Sequence, residues 1–379
     1  MELKRALLGL VLAAPLALAH PHGVAEPQHN AKPLPRGLGH CSKSFEASNL
    51  SKRTAERHMA EVEQLKKERG LEHMRTIHRR QFGGGFGGGD PAFIEEILNT
   101  DHKTDKDVTA DTDPLELFAD AGSCVLSPEV TEGPLYVRGE QIRRELTSGE
   151  LGVNLRFAVQ VVDVNTCEPV PDAWVDLWSC NSTGVYGGVQ DYPGNGDPNV
   201  PAIINSTALR GVQPTDKDGI ALFDTLVPGH YAGRATHMHA MVHHDVTQQE
   251  NGTITGGHVS HIGQMYFDQS LLQVVEQTPT YAINTQNWVQ NANDALFTMG
   301  TSGGDDPIVR YAILGESVEN GLFGWIRFGV DLTAQRTYNP AAYKDENGGH
   351  MNPGGPVGGG FPGGFPGGGF PGFGGGAAP

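Results

Sequence analysis

Positive charge is scarce in this chain of 379 residues, which carries 27 Lys and Arg against 44 Asp and Glu, for a formal net charge of −17. Nucleic-acid phosphates attract a basic surface, so this balance argues against nucleic acid as a partner. The same balance is compatible with an acidic, soluble extracellular protein.

Long apolar runs are also absent, apart from Ala6–Ala19 near the N-terminus. That run is too short to span a bilayer comfortably and is interrupted by Pro15. It follows the basic start Met1–Arg5 and ends in the small-residue pattern Ala17–Ala19, as secretory signal peptides do. We therefore expect residues 1–19 to be a signal peptide, the mature protein to be secreted, and no membrane-spanning helix to follow.

Two common catalytic signatures are missing. The Gly-rich stretch 81–89 is not followed by Lys and Ser or Thr, and no strand precedes it, so it is not a phosphate-binding loop. No His-Glu-x-x-His pattern of zinc peptidases occurs. The stretch 81–89 is instead predicted to be a flexible linker.

Much of the glycine and proline, 52 and 25 residues in all, is concentrated in two places, so the folding core is smaller than the length suggests. We expect an N-terminal segment at 20–120, a catalytic domain at 121–335, and a disordered Gly/Pro/Phe-rich tail at 336–379. Within the N-terminal segment, residues 51–80 have helical spacing with a partial apolar stripe. This helix is expected either to lie against the domain or to form a homodimer, with a pro-segment as the alternative.

The domain has the period-two pattern of an all-β protein. Short alternating segments separated by turn residues predict a β-sandwich, with an N-terminal helical segment and a disordered Gly-rich tail outside it. The segments are 155–164, 174–178, 220–223, 235–242, 265–267, 308–314 and 323–330.

The most informative stretch runs from Tyr231 to His239. His237 and His239 are two residues apart on a predicted strand, so their side chains point to one face and can bind one metal ion. Tyr231 lies six residues upstream of His237, and Tyr186 lies in an earlier loop. A free phenol is protonated at neutral pH, so a highly charged cation is needed to hold phenolates. Ferric iron fits two His and two Tyr, whereas zinc usually takes His, Cys or carboxylate.

Seven motifs occur in an order and spacing that resemble the intradiol ring-cleavage dioxygenases, specifically their secreted fungal branch. They lie within roughly residues 120–335 and comprise 132–136, 162–164, 167–178, 181–186, 228–231, 234–239 and 263–267. Each motif alone is weak, and the ordered set is specific.

The resemblance implies that iron(III) is held by Tyr186, Tyr231, His237 and His239. A catechol-type substrate would bind with both oxygens, and O2 would be inserted between its two hydroxylated carbons to give a muconate-type diacid. Tyr231 would leave the metal as substrate arrives, while Tyr186 stays. By the same resemblance, Arg234 would stabilise developing negative charge and Gln264 would hydrogen-bond near the site.

Two details qualify this expectation. The interval from Tyr231 to His237 is shorter than in the bacterial enzymes, which predicts a more open pocket mouth. Arg234 lies three residues before His237, so it reaches the same face only if the backbone at Ala235–Thr236 is irregular, for example at a bulge.

Two other functions fit parts of the sequence. A secreted β-sandwich binding module would carry the His pair without catalysis. A zinc hydrolase would combine His237 and His239 with a third histidine, and the candidates are His243, His244, His258 and His261. We expect His243 and His244 to be exposed at a strand end instead, since His243 lies too far along the strand to join His239.

A secreted protein passes through oxidising compartments, so its four cysteines are candidates for disulfide bonds. If Cys167 lies in a hairpin turn between 155–164 and 173–179, Cys180 is on the order of 25 Å away, which disfavours a Cys167–Cys180 bond. The two pairings that remain join Cys41 with Cys167 and Cys124 with Cys180, or Cys41 with Cys180 and Cys124 with Cys167. Candidate glycosylation sites are Asn49, Asn181, Asn205 and Asn251, of which Asn181, close to Tyr186, is the one expected to be silent.

Overall fold

The computed structural model describes residues 38–74, 91–103, 118, 123–124, 132–190, 192, 195–196, 202–301 and 306–356. The predicted signal peptide, the linker at 81–89 and the part of the tail beyond residue 356 lie outside this range.

Two β-sheets face each other, which confirms the predicted all-β sandwich. In the first sheet the strands lie in the order β1-β10-β3-β6. Strand β9 pairs with the same edge of β10 that pairs with β1. Strands β3 and β10 run parallel, while β3 and β6 run antiparallel. The strands of this sheet are β1 (Ser123–Cys124), β3 (Asn154–Asp163), β6 (Ile220–Leu226), β9 (Arg310–Ile313) and β10 (Leu322–Val330).

The second sheet is antiparallel and has the order β5-β4-β7-β8. Its strands are β4 (Trp174–Trp178), β5 (Arg210–Pro214), β7 (His237–Gln248) and β8 (Ile254–Tyr266). Alternate residues of both sheets, such as Phe157, Leu177, Ala240 and Phe328, meet between them in one apolar core. The other face of the second sheet is thereby left free for polar chemistry.

Helix α3 (Pro91–Asn99) precedes β1. Short helices connect later strands, namely α4 (Ala202–Asn205), α5 (Gln269–Val275), α6 (Pro279–Ala282) and α7 (Ala295–Thr301). No helix in the described ranges is long and apolar enough to cross a membrane.

The N-terminal helices α1 (Ser42–Ala47) and α2 (Leu50–Glu68) cover the outer face of the first sheet, α1 through Phe45 against Arg327 and α2 through its apolar stripe. The predicted stripe packs there, with Met59, Val62 and Leu65 against Leu222 and Trp325 in one cluster. The structure shows the helix docked against the domain, and the homodimer and pro-segment alternatives stay predictions. The helix ends earlier than expected, because Gly70 adopts a φ of 64° that breaks helical geometry.

Ion pairs hold the polar side of α2 against the sandwich. They join Arg53 to Asp218, Arg57 to Asp216, Glu61 to Arg144 and Arg156, and Glu68 to Arg156.

The predicted hairpin around Cys167 is wrong, because β3 and β4 belong to different sheets and the chain crosses between them. Cys167 forms a disulfide with Cys41, which directly precedes α1. The disulfide therefore links the helical arm, α1 and α2, covalently to the sandwich. Cys180 is a buried free thiol, which agrees with the expectation that it does not pair with Cys167.

The predicted start of the disordered tail at residue 336 is too early. Strands β11 (Ala342–Asp345) and β12 (Gly348–Met351) form a hairpin whose first strand pairs with β2 (Val137–Arg138) in a small third sheet. Ala341 and Ala342 are fully buried against the second sandwich sheet's outer cluster. The few apolar residues of this hairpin lie next to a glycine-rich stretch, so composition alone assigned them to the tail.

We expect the Cys41–Cys167 bond to stabilise the folded chain, because it closes a loop across 126 positions in the unfolded state. The double variant Cys41→Ala, Cys167→Ala should lose about 2–4 kcal/mol of unfolding free energy in urea denaturation. Dithiothreitol should destabilise the wild type to the same extent and leave the double variant unchanged. Coincident denaturation curves for oxidised wild type and double variant would contradict the prediction.

Candidate metal centre

Strand β7 opens with the two predicted ligand histidines, both buried on the outer face of the second sheet. Their Nε2 atoms lie 3.0 Å apart. The His237 Nδ1–H donates to the carbonyl of Ala235 at 2.6 Å, which orients its Nε2 lone pair towards the site. His239 stacks on Trp178 of the adjacent strand, with ring centroids 4.8 Å apart. Both imidazoles are therefore held rigidly by their neighbours.

The two tyrosines come from loops that close over this face. Tyr186 is fully buried, Tyr231 is half-buried, and their ring centroids lie 5.5 Å apart. Glycines allow the two loops to approach, because a Cβ on Gly184 would lie 2.1 Å from the carbonyl oxygen of His230. The Tyr231 ring in turn lies 5.6 Å from that of His237. The structure thus brings all four predicted ligands into one cluster.

The side chain of Asn181 organises the Tyr186 loop. Its Oδ1 accepts hydrogen bonds from the backbone N–H groups of Thr183 and Val185, and its Nδ2 donates to Glu150. An amide engaged in this way supports the expectation that the Asn181 sequon is silent, and that expectation stays a prediction.

Burial dominates the electrostatics of the cluster. Burial raises the pKa of the Tyr186 and Tyr231 phenols. It lowers the pKa of His237 and His239, and the positive charge of Arg234 lowers the pKa of both histidines further. The imidazoles are therefore neutral and have lone pairs to offer. The phenols need a cation beside them to become phenolates.

These residues fit a ferric ion. Two imidazole nitrogens that bind one ion at about 2.1 Å and at a right angle lie about 3 Å apart, close to the separation observed. Within the described part of the chain, the buried Tyr186 hydroxyl has no hydrogen-bond partner. A buried polar group without a partner is costly unless something binds it, and a hard phenolate oxygen suits a hard, highly charged ion.

Arg234 reaches the same side as the histidines. Its Nη2 donates to Gln264 Oε1 at 2.6 Å and to the Tyr266 hydroxyl at 2.8 Å, while its Nε donates to Asp294 at 2.8 Å. Gln264 is directly across the strand pair from His239. Arg234 and Gln264 are therefore neighbours of the cluster and of each other.

The expected backbone irregularity is present, in another form. Residues 231–236 form turns and bends before β7 begins, so strand alternation does not apply to Arg234. The register shift of this strand pair lies further along, between Val242 and His243.

Three residues that contact the site residues were not predicted from the sequence. Tyr266 stands in the same short motif as Gln264, so that motif contained the signal. Trp178 belongs to the 167–178 motif, and its contact with His239 needs the strand register. Asp294 comes from a distant loop, where its carboxylate accepts hydrogen bonds from Arg234 and from the backbone N–H of Ala235, and nothing local in the sequence marks it.

The competing histidines lie apart from the four ligands. His244 contacts Ser260, His258 lies beside Asp245, and His261 packs on Phe328. The expectation that His243 is exposed is wrong, since it is buried 3.6 Å from Asp176. The segment that leads into β11 covers His243, and the Tyr338 ring lies 6.4 Å from the His243 ring.

A pocket of about 220 Å³ opens beside the cluster. It is lined by Leu135, Gly184, Tyr186, Tyr192, Asn195, Tyr231, Ala232 and Gln286. Gln286 links both tyrosine loops, because its side chain donates to Thr183 and accepts from the Ala232 backbone.

Fold and site together define a β-sandwich protein with two histidines, two tyrosines and an arginine beside a small pocket. The family model Dioxygenase_C, described as Dioxygenase, matches residues 131–275. No curated protein matches the chain.

Several solved structures are similar. An intradiol ring-cleavage dioxygenase from Tetranychus urticae is 31% identical over 56% of this chain and 98% of its own, with a TM-score of 0.47. The dioxygenase domain of a carbohydrate-binding fusion from Streptomyces sp. SirexAA-E is 25% identical over 55% of this chain and 99% of its own, with a TM-score of 0.34. Catechol 1,2-dioxygenase from Acinetobacter sp. ADP1 is 17% identical over 58% of this chain and 70% of its own, with a TM-score of 0.34. Because the chain is 31% identical to the Tetranychus urticae enzyme over 98% of that enzyme's length, it belongs to the intradiol ring-cleavage dioxygenase family, whose members are in general non-haem iron(III) enzymes.

Asp294 is expected to fix Arg234 in place. Asp294→Asn removes a buried charged acceptor from Arg234 and from the Ala235 N–H, and should lower the unfolding free energy by about 1–3 kcal/mol in chemical denaturation. Asp245→Asn, at a side chain that is 83% exposed, is the matched control and should change little. Equal effects of the two substitutions would show that Asp294 has no anchoring role.

Proposed function

We propose that this protein is a secreted iron(III) dioxygenase that cleaves catechol-type aromatic diols between their two hydroxylated carbons. The observation that carries the proposal is the buried cluster of Tyr186, Tyr231, His237 and His239 beside an open pocket. Family membership supports the reaction class, and the signal-peptide pattern supports secretion.

Iron(III), when bound, would draw electron density from a chelated catecholate and so make its ring reactive towards O2. His237 and His239 would hold the ion as neutral nitrogen ligands, prepared by the Ala235 carbonyl and the Trp178 ring. Tyr186 would be the permanent phenolate, because it is fully buried and lies in a loop fastened by Asn181.

Tyr231 is the ligand expected to give its place to substrate. Its side chain is half-buried at the pocket, next to the exposed turn of Ala232 and Gly233. A phenol at the pocket edge can move without disturbing the core, and its oxygen can take up a proton from the arriving diol.

Arg234 would supply fixed positive charge where negative charge develops. Burial alone would lower its pKa, but Tyr266, Tyr231 and Asp294 outweigh burial and raise that pKa, so Arg234 stays charged. Asp294 orients the guanidinium without movement during the reaction, as electrostatic preorganisation requires.

The substrate class is proposed only as far as the adjacent hydroxyls. The exposed turn between Tyr231 and Arg234 supports the open mouth expected from the short interval, which would admit substituted or larger phenols. A place in the fungal branch, glycosylation and a homodimer remain predictions. The apolar stripe of α2 packs on the sandwich of its own chain.

The metal and its tyrosine ligands can be tested together. The purified protein should contain stoichiometric iron and be coloured by phenolate-to-iron charge transfer. Tyr186→Phe should lose iron and colour, because a permanent ligand is removed. Tyr231→Phe should retain more iron and lose turnover of catechol. Metal analysis, visible spectra and oxygen uptake measure these outcomes.

Tyr192→Phe is the matched control, since Tyr192 lines the same pocket outside the proposed ligand set. It should keep both iron and colour. A colourless wild-type protein with stoichiometric zinc, or full activity in both ligand variants, would overturn the proposed function.

Arg234→Lys tests the charge-stabilising role. A lysine keeps the charge but loses the planar fork that contacts Gln264, Tyr266 and Asp294 together, so turnover should fall by about a hundredfold. The KM for catechol should change less than kcat, as for an interaction that strengthens in the transition state. Lys217→Arg, on an exposed side chain, is the control. Unchanged turnover with intact colour would exclude the role.

A further inference from the structure

The face of the second sheet that carries the metal centre continues to a second cavity. On β7, His243 follows His239 on the same face, and on β4, Asp176 precedes Trp178 on that face. Tyr136, whose ring lies 4.8 Å from that of Trp178, covers the boundary between the two regions. The second cavity thus lies beyond Trp178, further along the same strands.

This cavity has an empty volume of about 330 Å³, which includes space open to the solvent. Its walls come from the segment before β3, from the second sheet and from the segment that leads into β11. The lining side chains used below are Tyr136, Arg138, Glu140, Asp176, His243 and Tyr338.

Buried polar atoms without partners line the cavity. In the described part of the chain, both carboxylate oxygens of Glu140, Oδ1 of Asp176 and Nε2 of His243 have no hydrogen-bond partner. Glu140 is 2% exposed, Asp176 3% and His243 6%. Leaving such groups unsatisfied costs free energy, so each of them favours a molecule that hydrogen-bonds to it.

The charge of the cavity is already compensated. Arg210, Lys344 and Arg143 all act electrostatically on Glu140, and the Tyr136 hydroxyl donates to Asp176 Oδ2 at 2.9 Å. Burial nevertheless raises the pKa of Glu140 to about 7, so its carboxyl can accept and, when protonated, donate. A neutral ligand rich in donors therefore suits the site better than a metal cation.

An aromatic wall completes the cavity. Tyr338 is half-buried and meets Tyr136 edge to face at 5.4 Å, with its ring 6.4 Å from that of His243. Such a wall packs against the carbon skeleton of a ring-shaped ligand while its hydroxyls face the carboxylates.

We propose that this cavity is a second binding site for a neutral ring compound with adjacent hydroxyl groups, separate from the metal centre. The ligand's hydroxyls donate hydrogen bonds to Glu140 and Asp176 and form a hydrogen bond with His243 Nε2. Its ring packs against Tyr338. Two sources share this chemistry, a sugar and an aromatic diol.

Crystals of the full chain soaked separately with D-glucose and with catechol distinguish the two sources, because the electron density locates each probe. We expect one of them in the cavity with a hydroxyl within hydrogen-bond distance of Glu140. Density for ordered water alone, in both soaks, would overturn the proposal.

Calorimetric titration with the probe seen in the cavity gives the matching affinity. Glu140→Gln keeps the side-chain shape and removes a charged acceptor, so binding should weaken about tenfold or more. Glu168→Gln, at an exposed acid outside the cavity, should bind as the wild type does. Equal affinity in all three proteins would overturn the proposal.

Tyr338→Ala provides a second variant if Glu140→Gln does not fold. It removes the half-buried wall and keeps the carboxylates, and should also weaken binding. None of these measurements requires iron, so a protein that lacks iron but binds the probe refutes the proposed function alone. A coloured, active protein with an empty second cavity refutes this inference alone.

Discussion

Strand alternation along β7 is the constraint on which both cavities depend. Met238, Ala240 and Val242 point inward and close the core between the sheets, so His237, His239 and His243 must point outward. One strand therefore stabilises the fold with one set of side chains and carries the polar chemistry with the other. A shift of one residue in register would bury the histidines in the apolar core and expose the core residues.

An outward face is useful only if it is covered, and here four segments cover it. The loops of Tyr186 and Tyr231 close over the first histidines, and the segment 132–141 together with the residues before β11 closes over the rest. Close approach is made possible by glycines. At Gly133, whose φ is 73°, an added Cβ would lie 3.1 Å from the His239 ring. The resulting burial sets the protonation of the site, since it disfavours every charged form that no partner compensates.

The helical arm stabilises the opposite side of the sandwich. Its stripe fills the outer face of the first sheet, its acids and bases pair with Arg156 of β3 and with residues in the loops before β3 and β6, and Cys41 attaches it covalently to Cys167. Both sheets are thus covered on their outer faces, the first by the N-terminal helices and the second by the segments that close over the site.

Local pattern alone determined the β-sandwich class, the face shared by His237 and His239, and the helix with its apolar stripe, because period and spacing are properties of neighbouring residues. The ordered motifs added Tyr186, Tyr231, Arg234 and Gln264. Only the tertiary structure decided what depends on residues distant in sequence. It set the crossover of β3 and β4 between sheets, the partner of Cys167, the anchoring of Arg234 by Asp294, and the burial of His243 under Tyr338. An amphipathic stripe is the same whether it docks or dimerises, and a carboxylate 60 positions away carries no local mark of the guanidinium it will meet.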